Sequence, residues 1–189
     1  KRRTRATIAK EKGLEPLANV ILLQMTGEPV VKTAEEYVSE EKDVKTPEDA
    51  VAGAKDIIAE SISDNADYRT RIRELTFKEG VLTSAAKDAE AKTVYEMYYN
   101  FSEPAAKMAG HRILAVNRGE NEKILTVKIE APVDKILAYL EKQIIVRDNR
   151  YTTGIIKEAI EDSYERLIAP SIEREIRNQL TETAEAGAI

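Results

Sequence analysis

Cysteine is absent from the 189 residues, and histidine occurs once, as His111. The first absence rules out a disulfide framework, a thiolate metal site and a cysteine nucleophile. The second rules out a histidine-rich zinc site or a mechanism built on two imidazoles. Tryptophan is also missing, phenylalanine occurs twice, and only eight Gly and six Pro interrupt the chain. No run approaches the roughly 18 consecutive apolar residues that cross a bilayer, and no charged-then-apolar leader opens the chain. A cytoplasmic protein without a membrane partner is therefore expected. Neither a G-x-G-x-x-G turn nor a Walker-type lysine loop is present to cradle phosphate.

What the chain does have is aliphatic volume and charge. Leu, Ile, Val and Phe make up about 24% of the residues, above the roughly 20% line below which disorder is expected. Ala, Leu, Glu, Lys and Arg dominate, and all favour helix. The formal net charge is −5, from 29 basic and 34 acidic side chains, a balance that argues against a dedicated nucleic-acid-wrapping domain. The chain opens at Lys1 inside a basic run and closes on a tail of small residues. It is read as a piece of a longer protein.

Periodicity predicts a mainly α, multihelical, bundle-like domain. A short helix ends at Gly13, and Pro16 opens a second, giving a helix-turn-helix-like hairpin over 1–27 that Gly27 and Pro29 close. One short helix or turn is expected within 28–45. Thr46-Pro47-Glu48-Asp49 is an N-cap signature. It starts a helix whose buried face is Val51, Ala54, Ile57, Ile58 and Ile62, with Gly53 and Ala54 allowing close approach. Tyr68, Ile72 and Leu75 form the next stripe, up to Gly80. Residues 88–101 and 105–118 read as helices. The alternation in 124–129 predicts a strand whose mate is 81–84, a small two-stranded β ribbon. Val133 to Leu140 is helical. Thr152 or Thr153 caps a long last helix carrying Ile156, Ile160, Tyr164 and Leu167 or Ile168, with a kink or restart at Pro170. The implied organisation is a basic hairpin (1–27), a helical body with the ribbon (28–150), and a long C-terminal helix (151–189) leading to further domains. On that reading, with a partner domain to cover the stripe, Ile172, Ile176 and Leu180 should be more exposed than comparable residues of the body.

Residues 1–12 hold six basic side chains, Lys1, Arg2, Arg3, Arg5, Lys10 and Lys12, against one acid. They are the first candidates for phosphate contact. The alternative is that they fold against acidic surface, which 28–64 supplies with eleven acids and four lysines. His111, Arg112 and Arg118, with Glu120, form the densest polar cluster in a nearly apolar stretch. A general base with an anion clamp could look like this, but no Ser or carboxylate stands where it would orient the imidazole. Glu161, Asp162 and Glu165 would need further converging acids to hold Mg²⁺, so a solvated face is expected. Tyr95, Tyr98, Tyr99 and Phe101 have the faces to stack bases, but at helical spacing they read as core and boundary aromatics.

Several stretches together resemble the bacterial Tex family of transcription accessory proteins, specifically its N-terminal helical region. They are Lys1-Arg2-Arg3-Thr4-Arg5-Ala6-Thr7-Ile8-Ala9, Lys12-Gly13-Leu14-Glu15-Pro16-Leu17-Ala18, Gly53-Ala54 with Asp56-Ile57-Ile58-Ala59-Glu60, and Ser102-Glu103-Pro104. His111-Arg112-Ile113-Leu114-Ala115-Val116-Asn117-Arg118-Gly119-Glu120 is the most specific, followed by Arg166-Leu167-Ile168 with Pro170-Ser171 and Glu173. The resemblance implies a cytoplasmic protein in which this helical region precedes an RNase-H-like domain, helix-hairpin-helix modules and a C-terminal OB-fold that carries most of the RNA binding. It implies a non-catalytic scaffold with no cofactor and no metal. That scaffold would add weak RNA or DNA contacts through Lys1, Arg2, Arg3, Arg5, Lys10, Lys12, His111, Arg112 and Arg118, and would pack on downstream domains of the same protein. Docking to RNA polymerase or ribosome-associated machinery through the acidic 28–64 face is the second expectation.

Overall fold

The structure is a computed structural model that describes residues 3–187. It is mainly helical, with α5 (Ala66–Glu79) and α7 (Val133–Ile144) among the helices numbered in chain order, and has one small antiparallel sheet. Two compact units interleave along the chain. The first is built from residues 1–69 and 137–168, the second from 70–136 and 169–189. The three consecutive segments read from the sequence follow chain order instead.

The first unit is organised around one helix, α4 (Pro47–Ser63). It starts where the sequence says, with Thr46 Oγ1 accepting the Asp49 N–H at 3.0 Å and Pro47 in the first turn. Helices α1 (Arg5–Glu11), α2 (Glu15–Leu23) and α3 (Val30–Ala34) pack on α4, as does α8 (Thr153–Asp162). Ala50, Ala54, Ile58 and Ala59 are fully buried along it, whereas Val51 is only half-buried. Gly53 is the point of closest approach. A Cβ there would run into Leu14 Cδ1 and come within 3.3 Å of Ala9 Cβ. Gly13 makes the α1–α2 turn with φ +79°, a conformation glycine adopts freely. The hairpin is thus helix, turn, helix, but its two helices pack chiefly on α4 rather than on each other.

Gly27 and Pro29 do not end α2. It stops at Leu23, and Gln24 takes the left-handed conformation at φ +57°. That conformation is uncommon for a residue with a side chain. It holds here because the Gln24 side chain is itself buried and hydrogen-bonded, as described below. Thr152 is the N-cap residue of α8 as read, its carbonyl accepting the Ile156 N–H at 2.9 Å, but its hydroxyl makes no capping bond. In the preceding turn the Asn149 side chain accepts the Tyr151 and Thr152 N–H groups, at 2.9 and 3.0 Å. The stripe Ile156, Ile160, Tyr164 and Ile168 is buried as read. The irregularity expected at Pro170 falls in the turn just before it. A π-helical segment, Ser163–Ile168, precedes α9 (Ala169–Gly187), placing the irregular turn where proline removes a donor.

The second unit holds the sheet. Its order is β2-β1-β3, all antiparallel, with β1 Val81–Ala86, β2 Asn100–Pro104 and β3 Leu125–Glu130. The expected ribbon of β1 and β3 is present, with Leu82 opposite Ile129 and Ser84 opposite Val127. The expected helix over 88–101 is not. Residues 87–99 form a loop with one short 3₁₀ turn, and 100–104 add a third strand. Side chains of the loop take over its backbone groups, which favours turn over helix. The Asp88 carboxylate accepts from Glu90 N–H, Thr93 Oγ1 accepts from Tyr95 N–H, and the Tyr99 hydroxyl donates to Ala91 O.

Leu125, Val127 and Ile129 are buried while Thr126, Lys128 and Glu130 face outward, the two-residue alternation of a one-sided sheet. Helix α6 (Gly110–Asn121) and α9 pack on each other and on β3. The expectation that Ile172, Ile176 and Leu180 are more exposed than comparable residues of the body is overturned, with exposures of 2%, 0% and 8%. Their stripe covers α6 and the β3 edge. Two side chains of α9 also block that edge. Glu173 Oε2 accepts the Ile129 N–H at 2.8 Å, and an Arg177 Nη donates to Val127 O at 3.4 Å. A covered edge cannot recruit a stray strand.

Candidate nucleic-acid interface

Of the four described basic side chains of the opening, three face a carboxylate. Lys1 and Arg2 lie outside the described residues. Arg3 pairs with Glu11 at 2.6 Å, Lys10 with Glu15 at 4.0 Å, and Lys12 with Asp43 at 3.9 Å. Arg5 is exposed, and its charge acts on Asp56 and Asp162. Helix α2, the one a helix-turn-helix would lay in a groove, contains no basic residue. It has no cation to place against phosphate.

On α6 the positive groups are less committed. His111 and Arg118 are exposed, seven residues apart and so close to one face of the helix. The Arg112 guanidinium lies over the Phe101 ring, 5.7 Å from its centroid. None of the three is in an ion pair among the described residues. His111 lines the mouth of a mainly apolar cavity of about 470 Å³, with Phe77, Met108, Leu114, Leu180 and Thr183 also on its wall. No carboxylate or hydroxyl hydrogen-bonds the imidazole among the described residues, so a base held by an orienting partner is not assembled there. Glu120 is drawn away from the cluster, paired with Arg177 at 2.6 Å. The structure therefore does not bring His111, Arg112, Arg118 and Glu120 together as one site. Tyr98 and Phe101 stack edge-to-face with each other, ring centroids 5.2 Å apart, rather than presenting faces to a base. Among the described residues no three His, Asp or Glu side chains converge as metal ligands.

Sequence reasoning missed the polar cluster in which the charges are coupled. In the first unit, Arg166 makes a two-pronged bond to Asp162, at 2.8 and 3.1 Å, and sits 4.0 Å from Asp56. The Asp162–Arg166 spacing of four on a helix was the available signal, but nothing pointed to Asp56. The Arg166 hydrogen bond holds the Asp162 carboxyl below the ordinary carboxylate range. Burial, only partly offset by Arg166, pushes Asp56 up. A depressed carboxyl stabilises the fold above its unfolded value, near 4, and the contribution disappears as pH falls through the lower native value. Asp56 acts with the opposite sign, since its ionisation opposes folding. Asp162→Asn should therefore destabilise the chain at pH 7, and its deficit relative to wild type should shrink as pH falls below about 4. Urea titrations at pH 7 and pH 3 test this. An equal deficit at both would show that the charge is not what the bond contributes.

Comparison with known proteins converges on one family. The Tex central region-like family model matches residues 26–189. The Bacillus subtilis (strain 168) protein YdcI is 55% identical across the whole chain, which covers 27% of that protein. Protein tex of Bordetella pertussis is 37% identical over 71% of the chain and 17% of its own length. Transcriptional accessory protein Tex of Neisseria gonorrhoeae is 30% identical across the whole chain and over 26% of itself. The chain thus spans about a quarter or less of the length of these relatives. The model match takes in the sheet and the helices from α3 onward, and on that extent the chain belongs to the Tex family.

Proposed function

We propose that this region is a non-catalytic support of a cytoplasmic Tex-like transcription accessory protein, adding weak electrostatic contacts to RNA or DNA held mainly by other parts of the longer chain. The observation that carries the reading is how the charges are spent. Arg3, Lys10, Lys12, Lys55, Arg73, Arg166 and Arg177 each face a carboxylate, so their work is to tie elements together. Among the described candidate cations, His111, Arg112 and Arg118 on α6 and Arg5 on α1 are in no ion pair, and of these Arg5 already acts on Asp56 and Asp162. A contact of two or three phosphates is salt-sensitive and blind to sequence. The name of the gonococcal relative, a transcriptional accessory protein, fits such a role.

Gel-shift titration of the 1–189 chain with single-stranded RNA and duplex DNA tests this. Binding should be weak at about 50 mM salt and nearly lost at about 200 mM. Arg112→Glu with Arg118→Glu should remove it, while Arg3→Glu should matter little. Binding that survives the α6 reversals but is lost with Arg3→Glu and Arg5→Glu would move the contact to the opening. No binding under any condition would leave support alone.

One observation favours a second reading, docking of a protein partner on the acidic 28–64 face. Glu35, Glu36, Glu40 and Glu41 are exposed and in no ion pair among the described residues, and Val38 between them is 41% exposed.

A further inference from the structure

The most exposed aliphatic side chains of the first unit are gathered at one place. Leu23, Met25 and Val146 are 63%, 65% and 68% exposed, although 23 and 146 are far apart in sequence. Gln24 brings them together. Its Nε2 donates to Ile144 O at 2.9 Å, and its Oε1 accepts from Val146 N–H at 3.0 Å and Arg147 N–H at 3.4 Å. A second clamp lies beside it, Asn149 Nδ2 donating to Thr26 O at 3.0 Å. The two loops, 23–26 and 144–149, are thus stapled side by side. Gln24 sits in a left-handed conformation at 3% exposure. Such a residue persists only where its surroundings over-determine it. The result is a fixed ridge that turns three apolar side chains to solvent, when Gln24 could have been the exposed residue and its neighbours the buried ones.

The ridge has a mainly positive rim. Lys142, Arg147 and Arg150 are exposed and in no ion pair among the described residues. Asp148 is the one acid over 142–150. Arg150 lies over the Tyr151 ring at 5.1 Å. This positive rim stands out in a chain of net charge −5 whose other basic side chains are so often paired. Exposed aliphatic side chains gain little from a sugar–phosphate backbone, which is read by cations and by aromatic stacking. They gain by burial against another apolar surface, and cations around them select carboxylates.

We propose that the Leu23–Met25–Val146 ridge is a docking surface for an acidic protein segment carrying apolar anchors. Three anchors and three cations are a small contact, below the size of a stable interface, so the association is weak and reversible. Because the ridge is already built in the free chain, little ordering opposes binding. The inference uses none of the α6 cations and stands whether or not the chain touches nucleic acid.

The test uses the 1–189 chain and a fluorescein-labelled synthetic peptide of about 16 residues, long enough to form a helix, with Leu on one face and Glu elsewhere. Saturable anisotropy with a dissociation constant on the order of 10–100 μM is expected. Arg147→Glu with Arg150→Glu should weaken it about tenfold or more, and Leu23→Ser, Met25→Ser and Val146→Ser together should abolish it. Thermal unfolding of these surface variants should stay within about 2 °C of wild type. Val94→Ser with Met97→Ser, altering the exposed apolar pair of the 87–99 loop, should bind normally. The proposal is overturned by no binding up to about 1 mM, by equal affinity for a matched peptide with Lys in place of Glu, or by binding that ignores the ridge variants. Displacement of the peptide by an oligouridylate would make the ridge a nucleic-acid contact instead. Self-association of the free chain that the triple Ser variant removes would make it an interface between copies.

Discussion

Arg177→Met is expected to lower the unfolding free energy by about 2 kcal/mol, more than any other change of a single surface-reaching charge. Arg177 works as a fork. One Nη donates to Glu120 Oε1 at 2.6 Å and to Asn117 Oδ1 at 2.9 Å, while the other reaches Glu120 Oε2 at 3.3 Å and Val127 O at 3.4 Å. Its side chain is 16% exposed and that of Glu120 39%, so the pair is partly screened, and the expected loss is set below the 3–5 kcal/mol of fully buried pairs. Asn117 closes the network, its Nδ2 donating to Thr181 Oγ1 at 2.8 Å. Methionine matches the length of the stem but satisfies none of these acceptors. Arg177→Lys should recover less than half of the loss, since an ammonium cannot present two parallel donors. Adding Glu120→Leu to Arg177→Met should recover part of it, because the orphaned carboxylate is the costly remnant. Urea unfolding of the single and double variants measures the coupling. A loss under about 0.5 kcal/mol for Arg177→Met would mean that this network behaves like an ordinary surface pair.

That network was not legible in the sequence, and the reason is physical. Helix starts, helix stops and amphipathic faces are local, written within a few residues. Thr46-Pro47, Gly13 and Gly80 therefore read correctly, and so did the stripes through Ile58 and Ile160. Arg177 and Glu120 are 57 residues apart, and no local rule joins them. The same holds for Gln24 and the loop it clamps, 120 residues and more away. The misread helix over 88–101 shows the other failure. Tyr95, Tyr98 and Phe101 have helical spacing, but Thr93, Asp88 and Tyr99 bond local backbone groups and bend the chain into a loop. Val94, which a helix would have buried in that stripe, is 89% exposed. The buried stripe of α9 failed for a third reason. Periodicity identifies an apolar face but not the element that covers it, and α6 with β3 does so here. For the candidate site, composition singled out the α6 stretch as polar within apolar surroundings. It could not show that Glu120 turns toward α9 while His111 and Arg118 turn to solvent.

Two opposite substitutions on α4 should expose how tightly the first unit depends on that helix. Ile58 is completely buried. Ile58→Ala should cost about 3–5 kcal/mol, combining the lost transfer free energy with the cavity left behind. The neighbouring helices α1, α2 and α8 meet α4 over side chains as small as Ala9, Ala54 and Ala59. They are already close and have little room to collapse into the void. Ile58→Val should cost only about 0.5–1.5 kcal/mol. Gly53→Val fails in the other direction. Its first branch atom would occupy the space of Leu14 Cδ1, and Leu14 is 1% exposed with no open side to retreat into. An overpacking loss of about 1–3 kcal/mol is expected. Gly53→Val combined with Leu14→Ala should then cost less than the sum of the two, because each relieves the other's misfit. Urea midpoints at constant slope measure all five variants, Leu14→Ala alone included. Additive losses at 53 and 14 would mean that α1 and its turn move aside as a body, and that the glycine serves only to shape the helix.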